Sequence, residues 1–295
     1  MTSTTAQPTT SRPPTADGVT VVVMSRDRRQ DLLATLPRHE APVVLVDNGS
    51  TDGTVEAVRA ALPQVTVLPL AENVGARART IGAGHAGTEF VAFADDDSWW
   101  APGDLARAAA VMRAHPRLAV LNARVLVGPE ERLDPLCAEL ATSPLGTPPH
   151  LPGPRLLGFI GCAAMVRTEA FLAVGGFDPV VRFPGEEERL SLDLAATGWD
   201  IAYVDSVTVH HHPSPRRHDP ATRRTAIWRS RLLTAVMRLP AGDVVRTVTA
   251  ALRAGGAERR GLWGALPDLP AALRLRRRLP AHVLADLRLL AGDAR

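Results

Sequence analysis

Four short apolar runs punctuate the first third of this chain: Val19-Thr20-Val21-Val22-Val23-Met24, Pro42-Val43-Val44-Leu45-Val46, Val65 to Leu70, and Phe90-Val91-Ala92-Phe93-Ala94. Their apolar residues run on without alternating, and β-branched side chains dominate the first two. That is how a strand buried on both faces reads. Between them lie stretches of helical spacing: Gln30 to Leu36 with Leu32, Leu33 and Leu36 on one side, Val55 to Leu62 behind a cap at Thr54, and a segment starting near Ala76. Strand alternating with helix predicts βαβ units and a mostly parallel sheet flanked by helices. A parallel sheet gathers the loops that follow its strands along one rim, here Ser25, Asp47, Asn73 and Asp95. Ligands of open α/β sheets bind at that rim.

The fourth run ends in Asp95-Asp96-Asp97. Three adjacent carboxylates repel one another and call for a compensating cation. Carboxylate oxygens favour hard divalent ions such as Mg²⁺ or Mn²⁺, which in turn favour phosphate oxygens. A solvated acidic turn is the plain alternative, but Trp99-Trp100-Ala101-Pro102-Gly103-Asp104 follows at once, a bulky wall and then a helix start. An acidic residue after a buried strand, such as Asp47, also suits a ribose hydroxyl or a base N–H, because a carboxylate accepts from two donors. No GxGxxG follows the first strand and there is no Walker A sequence, which weakens dehydrogenase and P-loop readings.

Farther on, a helix is expected over Asp104 to His115 and a strand over Leu118 to Val127. Residues 128 to 157 read as a loop-bearing region, Gly158 to Arg167 as a strand, and Gly175-Gly176-Phe177-Asp178-Pro179 as a sharp turn. In Glu186-Glu187-Glu188-Arg189-Leu190, carboxylates open a helix after Pro-Gly, favourably placed against its positive end. Glu187 stands three and seven residues before Leu190 and Leu194, so it should point inward with them. An inward carboxylate beside a substrate pocket is a candidate general base; helix capping is the alternative. Strands are expected at Ile201 to Val204 and Val207 to Val209, closed by His210-His211-His212, where imidazole is a borderline ligand for Mn²⁺-type ions.

The order VVVMSRDRR, VVLVDNGSTDGT, ENVGARARTIG and FVAFADDDSWWAPGDL resembles the GT-A glycosyltransferases of family 2, over roughly two thirds of the chain, Val19 to Pro213. The resemblance implies a GT-A fold and a sugar transferase that uses a nucleotide-sugar donor, a divalent Mn²⁺ or Mg²⁺, and inversion at the anomeric carbon. It places Ser25, Asp47, Arg79, Asp95 and Asp96 at the donor, and Asp97 on the metal. Glu186-Glu187 stand in the family's Glu-Asp place, with Glu187 as catalytic base, and Arg189 stands where a second Asp is usual. His211 matches the family's terminal His, with His210 and His212 one slip away. Asp27 and Thr80 replace asparagines common in the family. The alternatives are a catalytically inactive nucleotide-sugar or glycan binding protein, and a sugar-phosphate nucleotidyltransferase. The latter usually carries a Gly-rich basic signature that this chain lacks.

Composition bounds the rest. All 34 basic residues are arginine, and with abundant Ala, Gly and Pro this reads as the imprint of a GC-rich bacterial genome. A net charge of only +3 argues against a general nucleic-acid partner. Cys137 and Cys162 have no metal or redox spacing. No apolar run is long enough to span a membrane. The Thr-, Ser- and Pro-rich residues 1–17 read as a disordered leader, 18–213 as the transferase domain, and 214–295 as a basic helical extension. In that extension Arg216, Arg217, Arg223, Arg224, Arg229, Arg231 and Arg274 to Arg278 mark either solvated helical faces or a peripheral membrane contact. A cytoplasmic protein with a glycan, lipid-linked or small-molecule acceptor is the expectation.

Overall fold

The computed structural model describes residues 16–214 and 219–292. Most of the leader, together with Arg216 and Arg217, therefore lies outside the described residues. β1 (Val19–Ser25), β2 (Val43–Asp47) and β4 (Phe90–Ala94) are the buried strands expected, and β3 (Thr66–Pro69) is the half-exposed edge. These four pair in parallel. Helices α1 (Arg29–Thr35), α2 (Thr54–Ala61) and α3 (Arg77–Ala86) connect them. Gly53, in the left-handed region, is the N-cap of α2; Thr54 is its first residue, and its hydroxyl bonds Asp52 instead of capping the helix. On α3, a Cβ at Gly82 would stand 2.5 Å from Val22 Cγ1 and 2.9 Å from Val46 Cγ2, so glycine sets how closely that helix lies on the sheet.

Beyond β4 come β5 (Ser98–Trp100), α4 (Asp104–Ala114), β6 (Leu118–Val127), β7 (Arg132–Leu133), α5 (Pro135–Ala141), β8 (Ala164–Arg167), α6 (Thr168–Ala173), α7 (Glu186–Ala196) and β9 (Asp200–His211). The sheet runs β3-β2-β1-β4-β8-β6-β9-β5, with β7 beside β6. β8 enters antiparallel between β4 and β6, so the sheet is mixed on this side. Two expectations are corrected here. Of the strand expected over Gly158 to Arg167, only its last four residues pair; Gly161–Ala163 form a 3-10 turn. The two strands expected after Trp199 are one, β9, with an irregularity where its register against β6 shifts.

A single large core clads this sheet. The C-terminal helices α8 (Pro220–Arg238), α9 (Ala241–Ala254), α10 (Gly256–Ala265), α11 (Leu269–Arg274) and α12 (Ala281–Leu290) carry two smaller clusters. One joins Leu232, Leu233 and Met237 to Val180 and Val181, which lie just before α7. A buried ionic chain reinforces the join: Arg238 of α8 pairs with Asp193, which also takes Arg189 at 2.5 Å, and Arg189 reaches Asp178 at 2.7 Å. The arginine that departs from the family pattern thus ties α7 to the Gly-Gly-Phe-Asp turn.

Candidate active site

The acidic rim is assembled by local bonds. Ser25 at the end of β1 donates its hydroxyl to Asp96 Oδ2 at 2.7 Å, and Thr35 donates to the Asp96 carbonyl at 2.9 Å. Ser98 Oγ accepts from the Asp95 N–H at 2.8 Å, which closes the turn between β4 and β5. Burial, with the charges of Asp95 and Asp97 beside it, pushes the Asp96 carboxyl up to about 7 even though Ser25 opposes the shift.

Asp47 sits in the same rim, 2% exposed; one oxygen accepts the Ser50 N–H at 3.0 Å, while Oδ1 is buried without a partner among the described residues. A buried, unsatisfied carboxylate oxygen is costly and marks a place for a ligand N–H or O–H. Asn48 beside it holds the Asn73 to Gly75 segment, donating to the Gly75 carbonyl and accepting from the Val74 N–H at 2.8 Å.

The short strand β5 brings the histidines in. Its ladder with β9 sets Ser98 opposite His211 and Trp99 opposite His210. As a result His211 Nε2 lies 3.3 Å from Asp97 Oδ1. His210 instead pairs with Glu131 at 2.9 Å and stacks on Trp99, and the ring of His212 lies against the same indole. Of the three rings, His211 is the one set against the Asp97 carboxylate, while the His212 main-chain N–H donates to the Asp97 carbonyl at 2.8 Å. Asp97 Oδ2 accepts the Ser214 N–H at 2.9 Å. Adjacent ligands of an octahedral ion at 2.0–2.1 Å stand about 3 Å apart, so the Asp97–His211 spacing fits two neighbouring positions on one ion. Among the described residues no third His, Cys, Asp or Glu completes a cage. The remaining positions would fall to phosphate oxygens and water, as is usual for Mg²⁺ at a diphosphate.

Arg79 stands behind the rim, not in it. It is 1% exposed, bonds Asp95, and faces Glu186 at 3.7 Å. Glu187 closes the same cluster: a Cβ at Gly161 would stand 2.9 Å from both Arg79 Nη1 and Glu187 Oε1. The inward position assigned to Glu187 from spacing is partly corrected, because Glu186 is the fully buried glutamate (1% exposed) and Glu187 is half-buried. Both share helical spacing with Leu190, so periodicity could not separate them. Burial raises both carboxyls, with mutual repulsion adding for Glu186 and Arg79 opposing. Of this pair, Glu187 is the one left partly exposed.

Spacing also missed Thr35, Ser98, Gly161 and Ser214. The Ser-Trp-Trp alternation after the aspartates was the one visible sign of β5.

The profile of the family described as Glycosyl transferase family 2 matches residues 17–175. An N-acetylglucosaminyl-diphospho-decaprenol L-rhamnosyltransferase of Mycobacterium tuberculosis is 30% identical over 222 residues, covering 64% of this chain and 72% of that one. Among solved structures, S. aureus TarS superposes with a TM-score of 0.57 at 18% identity, over 93% of this chain and 53% of TarS. Its shorter form, residues 1–349, has been solved with UDP-GlcNAc. The mannosyltransferase PcManGT of Pyrobaculum calidifontis, in complex with GDP-Man and Mn²⁺, matches with a TM-score of 0.55 and 21% identity over 98% of this chain and 80% of that one. These likenesses carry the GT-A fold. With its acidic rim, its Arg79-linked glutamates and the match over residues 17–175, the chain belongs to glycosyltransferase family 2.

Proposed function

We propose that this glycosyltransferase moves a sugar from a nucleotide-sugar donor to a hydroxyl of a lipid-linked, cell-envelope sugar, with inversion and with Mn²⁺ or Mg²⁺ on the donor diphosphate. The observation that carries the reading is the sharing of Arg79: one guanidinium joins Asp95 of the donor rim to Glu186, with Glu187 alongside. A base and a diphosphate site therefore border one centre.

In this reading Asp47 Oδ1 accepts a donor N–H or O–H from the nucleotide, Asp95 and Asp96 hold the ribose side, and Ser25 orients Asp96. Asp97 and His211 would hold the metal, which as a Lewis acid offsets charge on the departing diphosphate. Arg79 acts through Asp95 rather than by touching the donor. Glu187 takes the proton of the acceptor hydroxyl as its oxygen attacks the anomeric carbon from the side opposite the diphosphate; one displacement gives inversion. The lipid-linked acceptor is carried over from the name of the M. tuberculosis relative. No helix among the described residues is long and apolar enough to cross a membrane. In this reading the protein works at the cytoplasmic face and meets its lipid-linked acceptor peripherally. Residues 18–213 are then the transferase domain and 214–295 its extension.

The test is thermal stabilisation by a panel of UDP-, GDP- and dTDP-sugars, with Mn²⁺ and with EDTA, followed by NMR of the product's anomeric proton. A ligand at 100 times its Kd should add about 2.7 kcal/mol. One donor stabilising only with metal, and a product of inverted configuration, is expected. Stabilisation by none, or a retained configuration, contradicts the proposal.

A further inference from the structure

Charge in this chain is divided unevenly. Residues 219–292 hold 14 arginines against five acidic residues, a net of +9; the remainder, with 20 arginines against 26 acids, carries −6. All five acids of the bundle are engaged. Asp219 caps α8 through the Ala221 and Thr222 N–H groups, Asp243 pairs with Arg246, and Glu258 with Arg224. Asp268 pairs with Arg229 and Asp286 with Arg155. Arg253, Arg259, Arg260, Arg274, Arg277 and Arg278 stay exposed, with no ion pair among the described residues.

The same helices expose large apolar side chains: Trp263 at 68%, Val245 at 61% and Leu273 at 58%, with Leu252 and Leu266 close behind. Their positions are ordered. On α10 the buried residues are Glu258, Gly261, Leu262 and Ala265, so the opposite face is Arg259, Arg260 and Trp263. Spacings of three and four set both guanidinium groups beside the indole. On α9, Val244, Val248 and Ala251 pack inward, while Val245 and Leu252, seven apart, share an outer stripe with Arg246 and Arg253 one position on. A merely solvated face has no use for an open indole among aliphatic residues. Trp at the headgroup level, aliphatics at the acyl boundary and arginines on phosphates are the chemistry of a surface that lies on anionic lipid.

The bundle is also fastened to the segment that leads into α7 and its glutamates. Ser230 donates to the Arg182 carbonyl at 2.8 Å and Arg229 to that of Val180 at 3.2 Å, while Phe183, 46% exposed, stands three residues before Glu186. We infer that the outer face of α9, α10 and α11, centred on Trp263, docks on an anionic bilayer and carries the Phe183 edge of the site to it. This deepens the proposed function, from which it takes the reason for docking; the docking itself rests on charge and exposure.

The experiment is co-sedimentation of the full chain with vesicles of phosphatidylcholine alone and of phosphatidylcholine with phosphatidylglycerol, at low and high salt. Binding at least tenfold tighter to the anionic vesicles, weakened by salt, is expected. Trp263→Ser should weaken it several-fold, and the Arg259→Glu, Arg260→Glu pair by 25-fold or more, at about fivefold per basic residue. Both variants should keep wild-type circular dichroism and wild-type donor hydrolysis in solution. Equal binding to both vesicle types, no binding, or indifference to both variants overturns the inference. So does a dimer in solution that Trp263→Ser dissolves without any vesicle binding, which would give the face to a second copy of the chain. Vesicle binding as described in a protein that turns over no donor leaves the docking face standing and removes the catalytic reading alone.

Discussion

Arg79 carries one positive charge among Asp95, Glu186 and Glu187, and it cannot neutralise three. Burial resolves the excess by holding a proton on the glutamate pair, with Glu186 raised to about 8. Two outcomes follow from that division. Glu187→Gln should cut transfer by about 10²–10⁴-fold, the range of a lost general base. Glu186→Gln should retain most activity and leave the acid limb of the kcat profile in place, because its amide still donates to Glu187, whereas Glu186→Leu removes the donor that holds Glu187 down and should move the limb to higher pH; a limb unmoved in Glu186→Leu contradicts the shared proton. Asp96 gives a prediction in stability. Its folded carboxyl titrates near 7 against 3.8 in the unfolded chain, so between those values the native state binds more protons and stability falls as pH rises. In metal-free protein, Asp96→Asn should therefore raise Tm most at pH 8, less at pH 5, and leave it nearly unchanged only below pH 3.8, where the carboxyl is protonated in both states. The acidic rim itself was legible from where the strands end. Arg79 was not: on a helix it reads as any exposed arginine, and its partners lie far off in sequence, at Asp95 and Glu186.

At the scale of elements, the catalytic centre depends on two short pieces that carry little sequence signal. β5 has three residues, and only its pairing with β9 decides which histidine meets Asp97. The Gly161–Ala163 turn leaves room for Arg79 and Glu187 because position 161 lacks a Cβ. Gly161→Ala should lower kcat at least tenfold while Tm moves little, since the atoms it meets are side-chain ends. A loss of folding comparable to a core mutation would show the glycine to be structural instead. Arg189→Ala should behave in the opposite way, costing about 3–5 kcal/mol in urea unfolding, because Asp178 loses its guanidinium partner while Asp193 is left to Arg238 alone. The parallel half of the sheet was readable because unbroken apolar runs alternate with helices. The entry of β8 as an antiparallel strand was not, because the four residues Ala164-Met165-Val166-Arg167 have no direction written in them.

In the whole molecule, the C-terminal bundle is basic, as its arginines announced, yet part of it is interior: Leu232, Leu233 and Met237 cover Val180 and Val181, and Arg238 is 5% exposed on Asp193. A chain cut after residue 214 should thus unfold or aggregate rather than survive as a free transferase domain, as the yield and circular dichroism of the truncated protein would establish. What binds the two parts together is the helix α7, whose N-terminus bears the glutamates and whose body anchors the bundle. Glu187 facing a metal-bound diphosphate across Arg79 is the centre of the proposed mechanism. The most direct measurement is the initial rate of nucleoside diphosphate release from the stabilising donor, for wild type and Glu187→Gln, with Mn²⁺ and with EDTA. Release by wild type with Mn²⁺ alone is expected, and little by Glu187→Gln although it still binds the donor; equal rates in the two proteins, or a rate indifferent to EDTA, would overturn the proposed mechanism.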